Sequence, residues 1–94
     1  MFYVMKINSI KDFDKCLSSL GYTEVGGYPI YFVTKDGKCL CFETVAKEYE
    51  RIKDAILHEM DNGWRVIASD VNWGDKIYCS ISGDEIESVF ETRD

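Results

Sequence analysis

Apolar and polar positions along this chain alternate, then recur at helical spacing, then alternate again. Residues 2–8 alternate loosely and predict an edge strand. From Ser9 onward, Ile10, Phe13, Leu17 and Leu20 repeat at helical spacing. Ser9 and Asp12 form a capping-box-like pair, and Gly21 stands where a left-handed C-terminal residue is wanted. Gly26-Gly27-Tyr28-Pro29 predicts a turn. Residues 30–34 and 38–42 then flank Asp36-Gly37, the chemistry of a two-residue type I′ hairpin loop. Such a loop would set Val33 opposite Leu40 and Tyr31 opposite Phe42 on one face. Thr34 would then face Cys39, and Phe32 would face Cys41. Cys39 and Cys41 point the same way, because side chains repeat every second residue.

The main helix is predicted over residues 44–61. Val45, Tyr49, Ile52, Ile56 and Met60 make its apolar stripe, with Lys47, Glu50, Arg51, Lys53, Asp54 and His58 mostly off it. Thr44 reads as the N-cap and Asn62-Gly63 as the stop. A strand over residues 64–71 leads to a turn at Asn72-Trp73-Gly74-Asp75, then a strand over 76–79. Residues 85–90 read as its hairpin partner or as a short helix, and periodicity does not separate the two. The order is an α+β pattern. With 94 residues it is one domain, with a strand/helix extension at 1–25 and a core at 26–91.

Apolar residues make up 46% of the chain and aromatic ones 14%, enough for a packed interior. The formal net charge of −6 argues against a nucleic-acid backbone, whose phosphates must be neutralised by Lys and Arg, and against an anionic membrane. It is compatible with a basic partner surface. No segment approaches the ~20 apolar residues of a membrane span, and the first six residues do not form a signal peptide. A cytoplasmic location follows, where Cys16, Cys39, Cys41 and Cys79 stay reduced and point to metal or packing before disulfides.

Two segments have the shape of zinc-ribbon halves. Cys41-Phe42-Glu43-Thr44 ends the hairpin, and Cys79-Ser80-Ile81-Ser82-Gly83 is a knuckle with Ser82 in the second ligand position. A structural zinc site needs four Cys or His ligands, and hydroxyls hold zinc poorly. The expected fold is therefore a metal-free, zinc-ribbon-like remnant: antiparallel hairpins packed by apolar side chains on one main helix and a short N-terminal helix.

From Gly27-Tyr28-Pro29-Ile30-Tyr31-Phe32-Val33-Thr34-Lys35-Asp36-Gly37, through Gly63-Trp64-Arg65-Val66-Ile67 and Asp70-Val71-Asn72-Trp73, to Cys79-x-x-Ser82-Gly83-x-x-Ile86-Glu87-Ser88, the chain resembles a particular family. Its members are small proteins of bacteria, plasmids and phages to which no reaction is assigned. The resemblance covers about residues 26–91. Some members carry C-x-x-C at both positions and look metal-bound; this chain goes with those carrying non-ligand residues. The resemblance implies a shared fold and a mobile-element setting.

Several candidates compete for chemistry. A zinc or redox-sensing site would use Cys39, Cys41 and Cys79, joined by His58. Cysteine catalysis needs a His base and an orienting acid in reach, and His58 is the only histidine. Asp70 to Asp75 faintly resembles a calcium loop without its closing Glu; Asp70 and Asn72 read instead as fixing the turn by bonds to backbone. Tyr28 and Trp73, if exposed together, would anchor an interface. Asp75, Asp84, Glu85, Glu87 and Glu91 would meet a basic partner. The expectation is a non-enzymatic acidic protein-binding module without cofactor, of phage or mobile-element origin. An inhibitor of a host defence system, such as an anti-CRISPR protein, is its specific form. The rival is a zinc-binding or redox-sensing regulator.

Overall fold

The computed structural model describes residues 5–18 and 28–89. Its elements are β1 (Met5–Lys6), α1 (Ile10–Ser18), β2 (Ile30–Thr34), β3 (Cys39–Cys41), α2 (Phe42–Lys47), α3 (Tyr49–Leu57) and β4 (Val66–Val71). The strands form one antiparallel sheet in the order β1-β4-β2-β3. This is a small α+β fold, as expected, with the predicted edge strand at one margin. The positions expected for residues 2–4, Leu20, Gly21, Gly26-Gly27, Phe90 and Glu91 lie outside the described residues.

The hairpin turns differently from the two-residue expectation. Thr34 N–H bonds the Lys38 carbonyl at 2.9 Å and Gly37 N–H bonds the Thr34 carbonyl, so the loop holds three residues. Gly37 sits at φ +85°, closing a three-residue loop as a left-handed residue after the turn. The one-residue difference moves every cross-strand pair: Tyr31 faces Cys41, Phe32 faces Leu40 and Val33 faces Cys39. A slip of one sends a strand's side chains to opposite faces of the sheet relative to its neighbour. Cys39 and Cys41 therefore share a face with Tyr31 and Val33, while Phe32 and Leu40 share the other.

That second face carries the helices. The Phe32 ring meets Phe13 of α1 edge-on at 6.2 Å and Phe42 of α2 at 6.5 Å. Leu40, Val45, Ile52 and Val66 complete a fully buried centre. α1 belongs to this core rather than lying outside it. Phe13 stacks on Tyr49 of α3 at 5.6 Å, and the Tyr49 hydroxyl donates to Asp14 at 2.7 Å. Ser9 Oγ accepts the Asp12 N–H, as the capping pair predicts, and Asp12 reaches back to the Asn8 N–H.

The single helix expected over 44–61 is two pieces joined at Glu48, and it ends at Leu57. It begins at Phe42, so Cys41 is the N-cap and Thr44 lies inside the helix. β4 starts at Val66 rather than at residue 64. Residues 76–79 and the described part of 85–90, up to residue 89, form neither the expected strands nor a helix; among the described residues a single bridge joins Tyr78 to Glu85. The two arms are nevertheless tied, by Cys79 N–H to the Asp84 carbonyl and Ile86 N–H to the Ile77 carbonyl.

Candidate functional site

The knuckle arm docks on the outer edge of β3, and the ladder pattern shows why. In an antiparallel pair, hydrogen-bonded and non-bonded residue pairs alternate. Thr34 bonds Lys38, so Cys39 and Cys41 are in non-bonded pairs and their backbone groups point away from β2. The Cys39 carbonyl takes the Ser80 N–H at 2.9 Å. The outward Cys41 N–H donates to the Cys79 sulfur. Unpaired edge groups are thus satisfied, and Cys41 and Cys79 are held side by side.

Four residues then converge: Cys41, Thr44, Cys79 and Ser82. The Thr44 hydroxyl oxygen lies 3.1 Å from Cys41 Sγ and 3.3 Å from Cys79 Sγ. Cys41 Sγ is 3.9 Å from Ser82 Oγ. These are the four corners that the C-x-x-T and C-x-x-S spacings mark, gathered by the fold. Cys79 is only 2% exposed, and Thr44 is buried beside it. Burial pushes the Cys79 thiol up, but donors outweigh it. The Ser82 hydroxyl and amide, the Thr44 hydroxyl and the Cys41 amide lower it to about 6. Cys79 is therefore a thiolate at neutral pH, and Thr44 can donate to it while accepting from the Cys41 thiol.

This donor set does not fit a structural zinc ion. Two corners are hydroxyls, which are weak ligands and are already hydrogen-bonded to the sulfurs. Cys39 does not complete a set, and His58 is not brought to one: its Nδ1 lies 3.1 Å from Asp54 Oδ1, one turn back on α3. Among the described residues no three His, Cys, Asp or Glu side chains converge on a metal position. The hydroxyls take the place of two ligands by hydrogen bonding. The equal spacings from Cys41 to Thr44 and from Cys79 to Ser82 signal this convergence in the sequence, while the cap reading of Thr44 does not hold, because Cys41 is the N-cap.

Thr44→Val keeps the shape and removes the hydroxyl between the sulfurs. It is expected to cost about 1–2 kcal/mol in urea unfolding and to raise the Cys79 titration, followed by thiolate absorbance. Unchanged stability and titration would show that the hydroxyl holds neither sulfur.

A second constellation lies on the same C-terminal segment. Asn72 is 2% exposed, and its side chain serves four backbone groups. Its oxygen accepts from the Gly74 and Asp75 N–H groups at 3.2 and 2.9 Å. Its amide donates to the Asp75 and Ile86 carbonyls at 2.7 and 3.2 Å. Asp70 Oδ1 accepts the Val71 N–H, so both residues fix backbone as the sequence predicts. Between these anchors Trp73 stands 51% exposed and meets Tyr28, 38% exposed, edge-on at 5.2 Å. Asp75, Asp84, Glu85 and Glu87 are all exposed. Glu91 lies outside the described residues. No helix among the described residues is long and apolar enough to cross a membrane.

No protein-family model matches this chain, and no curated protein or solved structure does either.

Proposed function

We propose that the chain is a non-enzymatic protein-binding module whose docking face is built around Tyr28 and Trp73. The supporting observation is that pair: two large exposed aromatic side chains in mutual contact, Trp73 standing on a turn braced by a buried amide and Tyr28 packed against it. Buried Trp and Tyr dominate binding energies, and a side chain already held in place loses little entropy on docking. Asn72 joins the arm carrying Asp75 to the arm carrying Glu87, through bonds to Asp75 and Ile86. Exposed carboxylates therefore flank the aromatic pair, and with a net charge of −6 they fit a partner with a basic surface. The resemblance to a mobile-element family adds a setting. In it, an inhibitor of a host defence system, such as an anti-CRISPR protein, is the specific form we propose. Covering a basic surface requires no catalytic residue.

The test is affinity capture from a bacterial host lysate with wild type and Trp73→Ala side by side, at low and high salt. A specific basic protein should be retained by wild type and weakened at least about tenfold by Trp73→Ala. Trp73 is exposed, so the variant should unfold within about 1 kcal/mol of wild type. Equal retention by both proteins, or none by either, would remove this reading.

A further inference from the structure

The cysteine cluster is independent of the aromatic face, and its geometry has a use that packing does not require. We propose that Cys41 and Cys79 are a thiol pair that closes into a reversible intramolecular disulfide. Cys41 is the sulfur a small-molecule disulfide reaches first, and Cys79 is the one that resolves the mixed disulfide.

Position comes first. Both sulfurs border one hydroxyl, at 3.1 and 3.3 Å, and the Cys41 N–H donates to Cys79. The Ser80-to-Cys39 bond pins the two backbones side by side, with both sulfurs against the same hydroxyl. Access divides the roles. Cys41 is half-buried beside the exposed Ser82, while Cys79 is enclosed. A resolving cysteine acts as a thiolate, and the donors around Cys79 hold it as one.

The other two cysteines are held as thiols. Cys39 shares the strand face, but burial, Asp70 and Cys79 all push its thiol up. Cys16 lies on the opposite face of the sheet, 3.2 Å from Met5 Sδ and 3.7 Å from Ser69 Oγ. Burial pushes its thiol up as well.

The chemistry closes with a low-molecular-weight disulfide as oxidant. Cys41 loses its proton to water and its thiolate attacks one sulfur of that disulfide; the small S–S bond breaks, and the departing thiolate takes a proton from water. Cys79 thiolate then attacks Cys41 sulfur. The mixed S–S bond breaks, the second small thiolate leaves and is protonated by water, and the Cys41–Cys79 bond forms. Two electrons pass from the cysteine pair to the small disulfide, which becomes two thiols.

The full reduced chain, treated with excess oxidised glutathione near neutral pH, tests this directly. Wild type should become two mass units lighter, with the peptides bearing Cys41 and Cys79 linked and the link reversed by dithiothreitol. Cys39→Ser should close in the same way. Cys79→Ser should stop at a stable glutathione adduct on Cys41. A wild-type chain that stays reduced, stops at the adduct, or links through Cys39 overturns the proposal, and that result does not depend on any variant folding.

Discussion

Asn72→Ala is expected to destabilise the protein by about 3 kcal/mol and to loosen the turn that presents Trp73. Alanine removes one acceptor and two donors, so the Gly74 and Asp75 N–H groups and the Asp75 and Ile86 carbonyls lose their partners together. The bond to Ile86 is buried, and a buried group left without a partner costs about 1–3 kcal/mol. The other three groups are partly wet and should each cost less. Asn72 also links two arms of the chain, because the Val89 N–H bonds its carbonyl at 2.8 Å. Urea unfolding measures the first effect. Solvent quenching of Trp73 fluorescence, read against a Trp64→Phe background, measures the second. A loss below about 1 kcal/mol would mean that water replaces the side chain and that the turn does not depend on it.

Stability should rise with pH between about 6 and 8.5, by on the order of 3 kcal/mol, in a reduced sample. Donors lower the folded Cys79 to about 6, against about 8.5 for an unperturbed cysteine. Between those values the unfolded chain binds the proton and the folded chain does not, so raising the pH favours folding. The contribution is complete above the unfolded value and lost as pH falls through the folded one. Urea unfolding under reductant across this window reads the slope. Cys79→Ala should flatten it, whatever its overall stability. A wild-type profile as flat as that of the variant would show that Cys79 is not held as a thiolate.

The same donors tie the two loops of this corner together through hydrogen bonds to sulfur. In a zinc site, four ligands neutralise the metal and the metal holds two loops together. Here one sulfur, Cys79, is the common hydrogen-bond acceptor at the centre. Ser82, Thr44 and Cys41 point hydrogen at it from both loops. Apolar packing holds the helical face of the sheet, and hydrogen bonds to sulfur hold the knuckle to its edge.

Much of this was legible in the residues. The helical repeat of α1, the capping pair at Ser9 and Asp12, the hairpin around Gly37 and the turn at Asn72 follow from local chemistry, and the structure contains each. The matched spacings from Cys41 to Thr44 and from Cys79 to Ser82 are likewise a property of the sequence alone. Local pattern determined these because each depends on residues within a few positions of one another.

The tertiary structure decided what depends on distant partners. Asp36-Gly37 suits two loop lengths, and the bond from Thr34 to Lys38 selects the longer, which turns Phe32 toward the helices and both strand cysteines toward the other face. Residues 76–89 carry strand-like residues but divide their hydrogen bonds between each other, the β3 edge and Asn72, so no regular ladder forms. Thr44 carries the same hydroxyl at a helix cap or inside a helix; only the arrival of Cys79, from 35 positions away, makes it a bridge between sulfurs. An acidity as shifted as that of Cys79 is a property of surroundings assembled by folding, which no stretch of sequence contains by itself.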